Sequence, residues 1–191
     1  MRTVTALILI LAGSLFTEAL AQERVTQQKA STELELFLQT KGHIIVKEFH
    51  EIGKISGQHG TGLTLGTLIL SEPGSYSKKM KGLRVEVMGT GKTDREHTSF
   101  LDIDELATII KGLAYMSTLS DEWRDKPIEY TEVAVSTKGD FRVGFFIRKG
   151  ELHAFVRSGF IGRSADAALS MDSLGTLKTL SERGLEYLNS H

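Results

Sequence analysis

The sequence has no cysteine at all. This excludes disulfides, thiol nucleophiles and cysteine-based metal sites together. Proline occurs only twice and no low-complexity run is present, so nothing marks a linker between domains. Charge of either sign is also missing in excess, since 23 Lys and Arg face 24 Asp and Glu for a net charge of −1. That balance argues against partners held by bulk charge, such as DNA, heparin or an anionic membrane. The most apolar run, Val4 to Phe16, is too short for a comfortable membrane span, which needs roughly 20 residues.

What is present at the N-terminus reads as an export signal. Arg2 supplies a positive start, the uncharged run follows, and Ala19-Leu20-Ala21 gives a small-x-small cleavage site before Gln22. The expectation is a signal peptide over 1–21 and a mature α+β domain over 22–191. Glu18 and Arg2 cancel, so removing the signal leaves the net charge unchanged. A secreted animal domain of this size would usually carry disulfides. The reading is therefore a periplasmic or secreted bacterial protein, with no membrane contact after cleavage.

Gly91-Lys92-Thr93 resembles the end of a nucleotide-binding P-loop. The full motif needs a glycine where this chain has Glu86, and a carboxylate there repels phosphate. It also needs a helix to follow, and Thr93 to His97 shows no helical period. A turn after the strand 83–87 explains the stretch better, and export away from cytosolic nucleotides agrees.

Periodicity gives a coarse map. Thr32-x-x-Glu35 is a capping box for a short helix bearing Leu34, Phe37 and Leu38, closed by Gly42. Strands are expected over 43–56, broken or bulged near Gly53, and over 63–70, 82–88 and 97–101. Asp102-x-x-Glu105 opens a long helix with Ile103, Leu106, Ile109, Ile110, Leu113 and Met116 on one face, ending near Trp123. Strands 130–137, 141–147 and 152–157 follow, then an irregular stretch or short strand over 159–168. Ser170 caps a second long helix carrying Met171, Leu174, Leu177, Leu180, Leu185 and Leu188.

Two matches suggest a duplication with half-units 43–124 and 129–191. Leu101-Asp-Ile-Asp-Glu-Leu106 resembles Leu169-Ser-Met-Asp-Ser-Leu174, and Gly112-Leu-Ala-Tyr115 resembles Gly184-Leu-Glu-Tyr187. The two shifts differ by about one helical turn, so both fall on one helix face. The resulting order, strand-strand-strand-(strand)-helix twice, resembles the duplicated units of the Pur-alpha and Whirly-type single-strand nucleic-acid binders. The resemblance covers most of the mature chain as an order of elements and carries no sequence motif. Neutral charge and the export signal depart from those families, so neither a nucleic-acid partner nor any residue role is carried over.

The most informative stretch is Phe141 to Arg157. Lys149-Gly150 suits a two-residue hairpin turn. The register then pairs Arg148 with Glu151, Phe146 with His153, Gly144 with Phe155 and Arg142 with Arg157. One face is wholly apolar: Phe141, Val143, Phe145, Ile147, Leu152, Ala154 and Val156. The other carries Arg142, Phe146, Arg148, Glu151, His153, Phe155 and Arg157, joined by Tyr130, Glu132 and Ser136 of the preceding strand. Arg142, Phe146, Arg148, His153, Phe155 and Arg157 are the candidate binding residues. Opposed arginines destabilise a sheet unless something lies between them, and an anionic or planar ligand suits guanidinium and aromatic groups. Alternatively, the face is solvated, with Glu132 neutralising an arginine and the other strand set covering the phenylalanines.

No catalytic motif stands out. His50-Glu51 lacks the second zincin histidine, the fifth position being Lys54. Asp102 and Asp104 suit helix capping. The leading expectation is a non-enzymatic module that binds a protein or a small anionic or aromatic ligand, without cofactor or metal. Two rivals remain. One is an exported hydrolase whose site would gather two or more of His43, His50, His59, His97 and His153 with carboxylates in one pocket. The other is an apolar-ligand carrier with a cavity between helices and sheet.

Overall fold

The computed structural model describes residues 32–74, 79–89, 95–160 and 163–191. The proposed signal peptide and the Gly91-Lys92-Thr93 stretch lie outside them. A seven-residue helix α1 (Glu33–Gln39) comes first. Strands β1 (Val46–Ser56), β2 (Gly62–Ser71), β3 (Met80–Gly89) and β4 (Arg95–Asp102) form one antiparallel sheet in sequential order, followed by α2 (Ile103–Trp123). Strands β5 (Tyr130–Ser136), β6 (Phe141–Arg148), β7 (Glu151–Phe160) and β8 (Arg163–Leu169) form a second, followed by α3 (Met171–Ser190). The fold is α+β, a ββββα arrangement made twice. The described residues on both sides of Gly91-Lys92-Thr93, in β3 and β4, are paired antiparallel strands, whereas a P-loop is followed by a helix.

Local chemistry accounts for the boundaries. Thr32 and Glu35 close a capping box on α1. Asp102 and Glu105 do the same on α2, with Glu105 accepting from the Asp102 N–H at 3.1 Å. The Asp102 carboxylate also accepts from the Glu33 and Leu34 N–H groups, at 2.8 and 3.2 Å. One carboxylate thus ties the start of α1 to the start of α2. Lys149 and Gly150 both have positive φ, 52° and 81°, as a primed two-residue turn requires. The expected bulge in β1 is present, where the register shifts between Glu51 and Gly53.

Two expectations change at the C-terminal half. The stretch 159–168 is regular strand over most of its length: β7 runs on to Phe160, and β8 pairs with it from Arg163 to Leu169. Small residues at 165, 167 and 168 hide the hydrophobic alternation there, because alanine is apolar without being a strand former. Ser170 stands at the N-cap of α3, but its hydroxyl meets that of Ser173 at 2.8 Å and caps no backbone group.

One hydrophobic core draws on both sheets and both long helices, including Leu65, Leu83, Val85, Leu106, Ile109, Leu113, Phe145, Val156, Leu174 and Leu177. Each such side chain stabilises by about 1.5–3 kcal/mol, more than any single cap. The helices cross over. α3, from the second half, lies on β1 and β2, with Leu180 against the bulge at Gly53. α2, from the first half, reaches β5 and β6, where Trp123 meets Phe145 edge-on at 6.2 Å. The glycines of the two recurring tetrapeptides sit at these crossings: Gly112 faces Val135, and Gly184 faces Leu83. Among the described residues, no helix is long and apolar enough to cross a membrane.

Candidate functional site

The apolar face of the second sheet is in the core, with Phe141, Val143, Phe145, Ile147, Ala154 and Val156 at most 2% exposed. The hairpin register is the one expected, including Arg142 opposite Arg157 and Phe146 opposite His153. The other face is therefore turned outward, and a groove of about 850 Å³ runs along it. Arg142, Phe146, Arg148, His153, Phe155 and Arg157 all line this groove. Tyr130 and Glu132 extend it on the β5 side, and Asp166 and Ala168 on the β8 side. Gln58, His59 and Thr61, from the turn between β1 and β2, form one wall. The other strand set thus borders the two phenylalanines, which are half-buried.

Aromatic rings make the floor. Phe146 stacks on His153 at 4.9 Å between centroids and lies 6.2 Å from both Tyr130 and Phe155. Gly144, between Phe146 and Arg142 along β6, is buried. β5 comes so close there that a Cβ on Gly144 would strike the Val133 carbonyl and Ala134.

The opposed arginines are resolved by carboxylates rather than by a required ligand. Arg142 turns outward to Glu132 at 2.6 Å, and Arg157 turns the other way to Asp166. Glu132 also accepts from the Tyr130 hydroxyl at 3.0 Å. That hydrogen bond, with desolvation and the Glu132 charge behind it, holds the Tyr130 phenol above its ordinary pKa. The Arg142 Nε is buried with no acceptor, and an orphaned guanidinium donor is costly. Sequence alone missed Asp166, since the strand that carries it was read as irregular. The wall at 58–61 was also missed, because it comes from the other half.

The corresponding face of the first sheet is covered at its middle, where the Phe49 ring folds over Gly66, and has a smaller hollow of about 340 Å³ beside Lys54, Glu86 and Glu96. Arg84 covers that ring at 5.7 Å and is held by Glu86 through two hydrogen bonds of 2.7 and 2.9 Å.

The five histidines mostly part company. His43 pairs with Glu72 at 3.0 Å, and His50 stacks on Tyr187 at 4.6 Å. His97 Nδ1 meets the Ser158 hydroxyl at 2.9 Å, which in turn meets Ser99 at 2.7 Å. That serine–histidine pair has no access for a substrate, because Ser158 and Ser99 are both 0% exposed. Only His59 and His153 share the groove. Among the described residues, no hydrogen bond or ion pair links either one to Glu132 or Asp166. Asp102, Asp104 and Glu105 lie close enough to hold a cation. Their oxygens are engaged with helix N–H groups and with Lys138, whose Nζ lies 2.9 Å from Asp104.

The chain matches no protein-family model, no curated protein and no solved structure.

Proposed function

We propose that this is an exported, non-enzymatic binding module whose ligand or partner occupies the groove on the second sheet. The observation that carries the reading is the asymmetry between the two sheets. On the first sheet the outward face is covered at its middle, with the Phe49 ring over Gly66 and Arg84 over that ring. On the second it opens as a concavity with aromatic floor and guanidinium rim, the composition typical of a recognition site. The twofold ββββα order supports a likeness to Pur-alpha and Whirly-type units, but fold likeness does not transfer function. The near-zero net charge speaks against nucleic acid.

The test is the intact mass, under native conditions, of the protein isolated from the cells that make it. The expected result is a mass above that of the chain, with the excess lost in Phe146→Ala. A bare chain mass would exclude a tight occupant, and an excess retained in Phe146→Ala would place it elsewhere. The same sample should begin at Gln22. An N-terminus at Met1 would overturn export.

A second reading, hydrolase, is favoured by the presence of His59 and His153 in the same groove as Glu132 and Asp166. It predicts turnover of some ester or amide that His153→Ala abolishes without weakening ligand binding. The apolar-carrier reading draws no support from the groove, which lies on the far side of the sheet from the helices.

A further inference from the structure

Resting on the reading of the groove as a binding site, we infer that its ligand is a small planar organic anion, its ring on Phe146 and its anionic group on Arg148. Three arginines and two carboxylates line the groove. Glu132 is taken by Arg142 and Asp166 by Arg157. Arg148 has no ion-pair partner among the described residues. Glu151, opposite it in the register, has its carboxylate 3.6 Å from His153 instead. One guanidinium therefore remains uncompensated, and it is the fork-shaped donor that suits a carboxylate or sulfonate.

Position supplies the ring. Arg148 and Phe146 are two residues apart on one face of β6, a separation of about 7 Å along a strand. That is close to the span from the middle of an aromatic ring to a guanidinium gripping its acidic substituent. Phe146 forms an aromatic cluster with His153 and Tyr130 and stays half-exposed in the groove, so a further flat group can extend the cluster. Arg142, further along the same face, also lines the groove, with its guanidinium held by Glu132. A volume near 850 Å³ falls in the range of about 300–1,000 Å³ usual for small-molecule sites. Inorganic anions would leave the aromatic floor unused, and a polyanion would find only one free charge.

Two dyes test this on the full-length protein. Anilinonaphthalene sulfonate carries a flat naphthalene unit with one negative charge, and N-phenylnaphthylamine is its uncharged counterpart. Fluorescence titration should show the anionic dye binding at one site at least tenfold more tightly than the neutral one. Arg148→Gln should remove roughly that tenfold preference and leave the neutral dye unchanged. Lys178→Gln, at a cation on α3 paired with Glu182, should change neither. The backbone amide signals of Phe155 and Ala168, which line the groove, should shift with the anionic dye, locating it without any variant. Equal affinity for both dyes, or no effect of Arg148→Gln, would overturn the anion while leaving the groove reading intact. Absence of binding by both dyes, or shifts confined to residues outside the groove, would overturn both.

Discussion

Gly57 faces the carbonyl oxygen of Ala168 so closely that an added Cβ would sit 2.5 Å from it. Gly139 faces the carbonyl of Phe100 in the same manner. Phe100 and Ala168 are separated by the same 68 residues that relate the two helix-start segments. The turn after the first strand of each half therefore rests on the last strand of the other half. Both turns also hold a residue other than glycine at positive φ, His59 at 54° and Asp140 at 57°. This reciprocity supports duplication more strongly than the short sequence matches do. It also explains why residues 58–61 of the first half wall a groove belonging to the second.

Gly57→Ala and Gly139→Ala should each destabilise the protein by about 1–3 kcal/mol, because a methyl group against backbone forces the halves apart. Gly175→Ala is the opposite case. Gly175 lies inside α3 with nothing within 4 Å of the added Cβ, so alanine should stabilise by about 0.5–1 kcal/mol. Denaturant unfolding of the three variants checks the set. A neutral result at Gly139 would show that the junction yields more readily than its geometry implies.

Ser158 joins β7 to β4 through Ser99 and His97, in a place without access for substrate. Its role is to hold the two sheets together. Ser158→Ala should cost about 1–3 kcal/mol, since a buried hydroxyl on Ser99 loses its partner. The double variant with Ser99→Ala should cost less than the sum of the single changes. Additive losses would mean that the two hydroxyls do not act as a pair.

The hairpin 141–157 was legible from the sequence because its alternation is unbroken and its turn residues fix the register. The six outward residues followed directly from that register. What lay beyond reach came from two sources. Alanine-rich β8 has no strong period, so Asp166 and the neutral end of Arg157 were not visible. The crossing of α2 and α3 onto opposite sheets, and the reach of His59 into the groove, are tertiary. No local pattern encodes which half a helix will cover. The arginine pair illustrates the consequence: sequence showed the repulsion of Arg142 and Arg157 and offered Glu132 to neutralise one of them, and the fold supplied Asp166 for the other.

Asp102 is 4% exposed and carries more than its own helix. Its carboxylate accepts from the Glu33 and Leu34 N–H groups, fixing α1 so that Leu34 is buried with Leu68 and Leu70. Asp102→Ala should cost about 1–3 kcal/mol for the donors left unpaired. Glu35→Ala, which removes only the local half of the Thr32 capping box, should cost about 0.5–1 kcal/mol. Limited proteolysis should cut between α1 and β1 sooner in the first variant than in the second. Equal rates would show that α1 is held by its apolar contacts alone.

The last prediction concerns the groove itself. The Tyr130 hydroxyl donates to Glu132, and removing that proton would place two negative charges side by side. The phenol therefore titrates above its ordinary range. Because the folded-state value is raised, the hydrogen bond is present throughout neutral pH and is lost only as pH rises through that value. Glu132→Gln removes the charge and should bring the phenol back down. It should also free Arg142, which now pairs with the same carboxylate, and so add an uncompensated cation to the groove. Tyr130 ring signals followed by NMR against pH check the first effect, and the affinity of anilinonaphthalene sulfonate checks the second. A lower phenol value with unchanged dye affinity would mean that Arg142 does not reach the ligand, leaving Arg148 to hold the anion unaided.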